Sequence, residues 1–79
     1  MGSKFRVDRK VDARDLVCPG ALMETIRTLK TMKKGEVLEV LASDDSSARD
    51  IPFWVKRDGN EILLMEKIDE YWRILIRKS

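Results

Sequence analysis

Histidine is absent from this chain of 79 residues, and cysteine occurs once, as Cys18. Without histidine, no Cys–His or Ser–His pair can activate a nucleophile. One cysteine and no histidine also cannot supply the usual ligands of a structural zinc site, and a lone cysteine cannot form an intrachain disulfide. We therefore expect no metal site. A free thiol indicates a reducing compartment, which predicts a cytoplasmic protein.

Long apolar runs and an excess of one charge are also lacking. No apolar run approaches the roughly 20 residues of a membrane-spanning helix, and Met1-Gly2-Ser3-Lys4 lacks the apolar stretch of a signal peptide. The 16 basic and 14 acidic residues leave a net charge of +2, which argues against a strongly basic nucleic-acid-binding protein. We expect one domain over residues 1–79, in which residues 1–4 are disordered or a cloning remnant, and no membrane association.

Hydrophobic periodicity predicts the order strand–helix–strand–helix–strand–strand. The predicted elements are a strand carrying Phe5, Val7 and Val11, a helix over Pro19–Lys34, a strand over Val37–Ala42, a second helix, and strands over Ile62–Ile68 and Tyr71–Arg77. Because proline is accepted only in the first turn, Pro52 predicts that the second helix starts between Ala48 and Ile51. This order predicts an α/β fold, a two-layer βαβαββ sandwich with a mixed four-stranded sheet and two helices on one face.

The same periodicity assigns the faces of the elements. The apolar stripe of the first helix is predicted to comprise Leu22, Ile26, Leu29 and Met32, and Trp54 of the second helix is predicted to be core. If Ile62 and Leu64 face the helices, alternation places four apolar residues on the opposite, open face of the sheet: Leu41, Leu63, Met65 and Leu75. A contiguous apolar face of this kind predicts partner binding or weak self-association.

Cys18 immediately precedes Pro19 at the predicted start of the first helix. Proline suits the first helical position, so Cys18 is expected at or beside the N-cap. There the unpaired backbone N–H groups and the helix dipole favour the thiolate, which is the nucleophilic form. Arg14 is the nearest cation in the sequence. Three roles are open to it: lowering the pKa of the thiol, steering an acidic partner, or being a solvated loop arginine without a function.

The segment Val11-Asp12-Ala13-Arg14-Asp15-Leu16-Val17-Cys18-Pro19 resembles the opening motif of the TusA/SirA/YedF-like sulfur-carrier proteins. In that family an aspartate and a short loop precede Cys-Pro-x-Pro at the first helix. A second resemblance lies at the spacing of the family's second helix, in Asp45, Asp50-Ile51-Pro52, Trp54 and Gly59. The chain departs from the pattern at Ala21, which replaces the second proline, and at Asp15, where glycine is common.

The resemblance implies a sulfurtransferase that acts as a persulfide carrier. Cys18 would accept sulfane sulfur from a desulfurase or rhodanese-like donor and pass it to an acceptor protein, with Pro19, Arg14 and Asp12 in supporting roles. This exchange would need no cofactor. Such relays serve tRNA thiolation, molybdenum-cofactor synthesis or sulfur oxidation, and direct nucleic-acid contact is not expected. The alternative is a non-catalytic regulatory module that binds protein or RNA, the latter through Arg27, Lys30, Lys33 and Lys34.

Overall fold

The structure is a computed structural model that describes residues 6–14, 16 and 20–79. Phe5 of the predicted first strand and the pair Cys18 and Pro19 lie outside the described residues. The elements are β1 (Arg9–Ala13), α1 (Gly20–Thr31), β2 (Val37–Ala42), α2 (Asp45–Arg57), β3 (Glu61–Ile68) and β4 (Tyr71–Arg77). In this part of the chain, neither helix has the length and apolar character needed to cross a membrane.

The four strands form one mixed sheet in the order β1-β2-β4-β3. β1 and β2 are parallel, with Ala13 opposite Ala42, whereas β4 is antiparallel to both β2 and β3. Since β1 and β2 end at the same edge, α1 and α2, which follow them, both start there. We call this edge, where Ala13 and Ala42 end their strands and Tyr71 begins β4, the helix-start edge. The predicted α/β sandwich is confirmed.

The core lies between the sheet and the two helices. Leu38, Val40, Ile74 and Ile76 fill the sheet side, and residues of α1 and α2 cover them. Leu29 and Met32 of the predicted stripe are buried, as expected. Leu22 and Ile26 are only half-buried, and Ala21 and Thr25 take the buried positions of α1 instead. Small side chains at these positions allow the helix to approach the sheet closely. The buried Thr25 hydroxyl donates to the Ala21 carbonyl at 2.8 Å, so its hydrogen-bonding requirement is met within the helix.

α2 begins earlier than Pro52 predicted. Asp44 caps it, since its carboxylate accepts from the backbone N–H groups of Ser46, at 2.8 Å, and Ser47, at 3.2 Å, and this fixes the start at Asp45. Pro52 consequently lies inside the helix, where it removes one N–H donor. The cap and the burial of Ile51 offset that loss.

Trp54 lies at the surface of α2, so its prediction as a core residue is wrong. Its ring contacts the edge of Phe53, with centroids 5.4 Å apart, and the Arg57 guanidinium lies 5.0 Å from its centre. Ile51 and Val55 take the buried positions of this helix. Helical spacing alone placed Trp54 beside them, but the buried face of α2 is narrower than that pattern implied.

An irregularity in β3 reverses its predicted faces. Ile62 pairs with Ile76, but the register then shifts, so that Leu64 pairs with Leu75 and Met65 with Ile74. Directly opposed residues in neighbouring strands share a face. Leu64 therefore lies on the open face and Met65 on the helix side, the opposite of the prediction. One extra residue in a strand inverts the alternation of every residue that follows it.

The open face carries a charged row that contains one residue from each strand: Lys10, Glu39, Arg73 and Glu66. The Glu39 carboxylate lies 4.0 Å from Lys10 Nζ and forms an ion pair with Arg73. Arg73 Nη1 donates to Glu66 at 3.0 Å. These contacts also raise the pKa of Arg73, chiefly through the hydrogen bond to Glu39.

The charged row explains why the open face is not apolar. Leu75 is 0% and Leu41 5% exposed, and their cross-strand partners in β2 and β4 are Glu39 and Arg73. The hydrocarbon stems of long charged side chains cover neighbouring apolar surface. Leu63 and Leu64 are half-buried, and the exposed Met65 lies on the other face. The predicted apolar surface for self-association is therefore absent from the described residues.

Breaking the charged row should destabilise the fold more than breaking a solvent-exposed ion pair. The side chains of Arg73 and Glu39 are only 18% and 14% exposed, so Arg73→Met leaves a carboxylate that is poorly hydrated and has lost its main partner. We expect the free energy of unfolding to fall by about 1–3 kcal/mol. Chemical denaturation measures this difference.

The matched control is Arg77→Met, which removes the ion pair with Glu61, whose two side chains are about half exposed. Pairs exposed to this extent contribute roughly 0–1 kcal/mol. Equal losses of stability in the two variants would contradict the structural role given to the charged row.

Candidate functional site

The connection between β1 and α1 carries the sequence motif that contains Cys18. This connection comprises residues 14–19, of which the structure describes Arg14 and Leu16. Ala13, which precedes it, is completely buried, and the backbone N–H of Leu16 donates to the Ala13 carbonyl at 3.1 Å. The described part of the connection thus begins as a turn anchored on the end of β1.

Asp12 and Arg14, both predicted to support the cysteine, lie together. Arg14 Nε donates to Asp12 Oδ1 at 2.9 Å and Nη2 to Oδ2 at 2.8 Å, the two-pronged geometry that makes arginine–carboxylate pairs strong. The Arg14 backbone N–H adds a contact of 3.3 Å. These hydrogen bonds, the side-chain ones foremost, lower the pKa of Asp12 from 3.8 to about 2. Asp12 is therefore ionised at neutral pH and unsuited to act as a general base.

Two residues that sequence reasoning missed also contact Arg14. Its guanidinium carbon lies 4.9 Å from the centre of the Tyr71 ring, and its carbonyl accepts a hydrogen bond from the Ser43 hydroxyl. Tyr71 begins β4 and Ser43 directly follows β2. The topology could have found Ser43, because residues that follow neighbouring parallel strands meet at one edge. Arg14 is thus built into a network, which is more than the solvated loop arginine that the sequence allowed.

A second polar cluster lies farther along the helix-start edge. Asp45 accepts a hydrogen bond from Trp72 Nε1 at 3.1 Å, and Lys67 Nζ lies 4.0 Å from the same carboxylate. Lys67 Nζ also lies 5.4 Å from the centre of the Trp72 ring. Asp45 is in the first turn of α2, but its side chain contacts residues of β3 and β4. This cluster ties the start of α2 to the sheet.

The surface next to the connection is partly apolar. Leu16 is exposed, and Met23 of α1 is 62% exposed. A methyl group at Gly20 would lie 3.1 Å from the Leu16 Cβ, so glycine permits the close approach of these two residues. Met23 also lines an open groove of about 530 Å³ along α1, together with Glu24, Ile26, Arg27 and Lys30.

The basic residues considered for RNA binding are divided by the structure. Arg27 and Lys30 line the groove on α1, and Arg27 Nη2 donates to Glu24 at 2.9 Å. Lys33 and Lys34 lie beyond the end of α1. The pairing of Arg27 with Glu24 reduces the local positive charge on which phosphate binding depends. Within residues 6–14, 16 and 20–79, no three His, Cys, Asp or Glu side chains are grouped to hold a metal ion.

Comparison with known proteins shows that the sequence of this chain is similar to those of one protein family. Residues 9–78 match the family described as sulfurtransferase TusA. A candidate sulfur carrier protein of Archaeoglobus fulgidus is 57% identical over 68 residues, which cover 86% of this chain and 93% of that protein. The sulfur carrier protein TusA of Allochromatium vinosum is 35% identical over 72 residues, covering 91% and 95% of the two chains.

The fold also matches solved structures. The crystal structure of a SirA-like protein from Desulfitobacterium hafniense superimposes with a TM-score of 0.76 and 24% identity, covering 91% of this chain and 99% of that one. The solution structure of a Helicobacter pylori protein gives a TM-score of 0.70 at 22% identity, with 89% and 96% of the chains covered. At these identities the likeness supports the fold, and the sequence relatives support the family.

The Asp12–Arg14 pair should make stability depend on pH in the acid range. Because the pKa of Asp12 is about 2 in the folded state and 3.8 without the pair, its contribution is fully present above about pH 4. It is lost as the pH falls towards 2. Between about pH 4 and pH 2, the melting temperature of Asp12→Asn should therefore fall less than that of the wild type, as thermal unfolding at each pH would show.

Arg14→Gln, which removes the cause of the shift, should reduce the acid dependence in the same way. Parallel pH profiles of the wild type and both variants would show that the pair does not contribute to stability.

Proposed function

The chain belongs to the TusA family of sulfurtransferases, and on that premise we propose that it carries sulfur as a persulfide on Cys18. The observation that supports this assignment is the cysteine inventory. Cys18 is the only cysteine of the chain and falls within residues 9–78 that match the family. A persulfide needs a thiol to hold it, and this chain offers one.

The proposed reaction consists of two thiol exchanges. The Cys18 thiolate attacks the outer sulfur of a persulfide on the donor protein, and the donor leaves as a thiolate. The S–S bond of the donor breaks, a new one forms on Cys18, and the transferred sulfur keeps its proton. An acceptor thiolate then attacks the outer sulfur and releases the Cys18 thiolate. No net oxidation or reduction occurs, so neither exchange requires a cofactor.

The described surroundings support a thiolate without a general base. Histidine is absent, and Asp12, with its pKa near 2, is a poor proton acceptor. The first turn of α1 contains no acidic residue, so the positive end of its dipole is not offset locally. We propose that Pro19 begins this helix and that Asp12 and Arg14 shape the connection before Cys18. Because Asp12 pairs with Arg14 and offsets its positive charge, the role proposed for Arg14 is to position the connection.

The proposed partners are a protein donor, of the desulfurase or rhodanese type, and a protein acceptor of a cytoplasmic sulfur relay. Exposed Leu16 and Met23 support this proposal because they flank Cys18 in the sequence and offer apolar contact area. Arg27 and Lys30 beside Met23 add charge that can orient a partner. Thiolation of tRNA, molybdenum-cofactor synthesis and sulfur oxidation are the relays that such a carrier could serve.

Intact-mass spectrometry tests the proposal. After incubation with a persulfide-loaded desulfurase or rhodanese, the wild type should gain one sulfur, about 32 Da, which dithiothreitol removes. Cys18→Ser, which differs from the wild type by one atom, should gain nothing.

Equal sulfur uptake by Cys18→Ser, or no uptake by the wild type from either donor, would reject the assignment. In the second case, RNA binding that weakens steeply with salt would favour the regulatory alternative.

A further inference from the structure

We propose that Ser43 is a positioning residue for sulfur transfer, holding the main chain that leads to Cys18 against the end of β2. This inference rests on the proposed function of Cys18. Ser43 stands 29 residues from Arg14 in the sequence, yet its hydroxyl donates to the Arg14 carbonyl. The contact therefore joins the connection that follows β1 to a separate strand.

The donor of this hydrogen bond is held on both sides. Ala42, which precedes Ser43, is completely buried and pairs with Ala13 of β1 and Trp72 of β4. Asp44, which follows it, caps α2 through two backbone N–H groups. The backbone of Ser43 therefore lies between a central strand and a helix cap, both of which restrain it. Ser43 is thus a fixed point from which a neighbouring segment can be held.

The acceptor of this hydrogen bond, the Arg14 carbonyl, belongs to the connection that contains Cys18. Asp12 and Tyr71 contact the Arg14 side chain, whereas Ser43 contacts its main-chain carbonyl. The backbone hydrogen bond from Leu16 to Ala13 is local to β1. The side-chain contacts act on the guanidinium group, whereas a hydrogen bond to the carbonyl acts directly on the peptide group that follows Arg14. This restraint is the proposed means by which Ser43 acts on Cys18, which stands four positions later in the sequence.

Restraint matters here because an exchange reaction needs the attacking sulfur in line with the S–S bond. A loss of orientation slows such a reaction without preventing it. Ser43 and Arg14 are both exposed residues, so removing the Ser43 hydroxyl should change the stability of the fold little. The expected signature is slower transfer at unchanged sulfur stoichiometry.

The test compares variants at position 43 by two measurements. The first is the rate of sulfur uptake from a persulfide-loaded rhodanese. The second is the pH profile of Cys18 alkylation by iodoacetamide. Ser43→Ala should slow uptake about tenfold and move the alkylation profile to higher pH, because a less restrained thiol gains less from the helix start. Ser43→Thr, which keeps the hydroxyl, should restore both values.

Two controls separate positioning from general destabilisation. Ser43→Val matches Ser43→Thr in shape but lacks the hydroxyl, so it should behave as Ser43→Ala does. Ser79→Ala removes a comparable hydrogen bond, from the Ser79 hydroxyl to the Gly59 carbonyl, at the opposite edge of the sheet, and should match the wild type.

The outcomes are distinguishable from failure of the proposed function. If the wild type takes up no sulfur, the persulfide assignment fails, while the alkylation profiles still test Ser43. If Ser43→Ala and Ser43→Val match the wild type in the alkylation profile and in any sulfur uptake, the positioning role is wrong. Equal losses in Ser79→Ala would also overturn it.

Discussion

The parallel pairing of β1 with β2 is the constraint on which the rest of this structure depends. It places Ala13 opposite Ala42, so both strands end at one edge and both helices start there. Ser43 and Arg14 come into contact for the same reason, although 29 positions separate them. A parallel connection requires a crossover segment, and here α1 supplies it. The motif that carries Cys18 thus lies in the segment that the sheet needs for its own topology.

The ion pair between Asp12 and Arg14 affects both the charge and the geometry of the segment before Cys18. Asp12 neutralises much of the Arg14 charge, and in return the pKa of Asp12 falls to about 2. Neither residue is then suited to proton transfer near neutral pH, and both are suited to holding a chain segment. A carrier that exchanges one thiolate for another needs no strong base. The surroundings agree with chemistry in which orientation and partner contact matter more than activation.

Predictions from local sequence patterns failed at three places: the open face of the sheet, β3 and the start of α2. Alternation assigned Leu75 to the open face correctly, but Leu75 is completely buried, opposite Glu39 of the charged row. In β3 the register shift after Ile62 reversed the faces of Leu64 and Met65, and no local signal announced it. For α2, Pro52 suggested a late start, whereas the cap at Asp44 set an early one. On the open face and in β3, contacts between strands outweighed the alternation rule, whereas in α2 a local cap outweighed the expectation from Pro52.

The sequence by itself determined the element order, the β2 and β4 boundaries and the single thiol, because these follow from short-range periodicity and from composition. It also indicated the family, since the motif around Cys18 is contiguous. Only the tertiary structure decided that Arg14 binds Asp12 and Tyr71, that Ser43 holds the Arg14 carbonyl, and that the charged row covers the open face. Those contacts join residues from different strands, and their geometry depends on sheet register, which a one-residue shift can change.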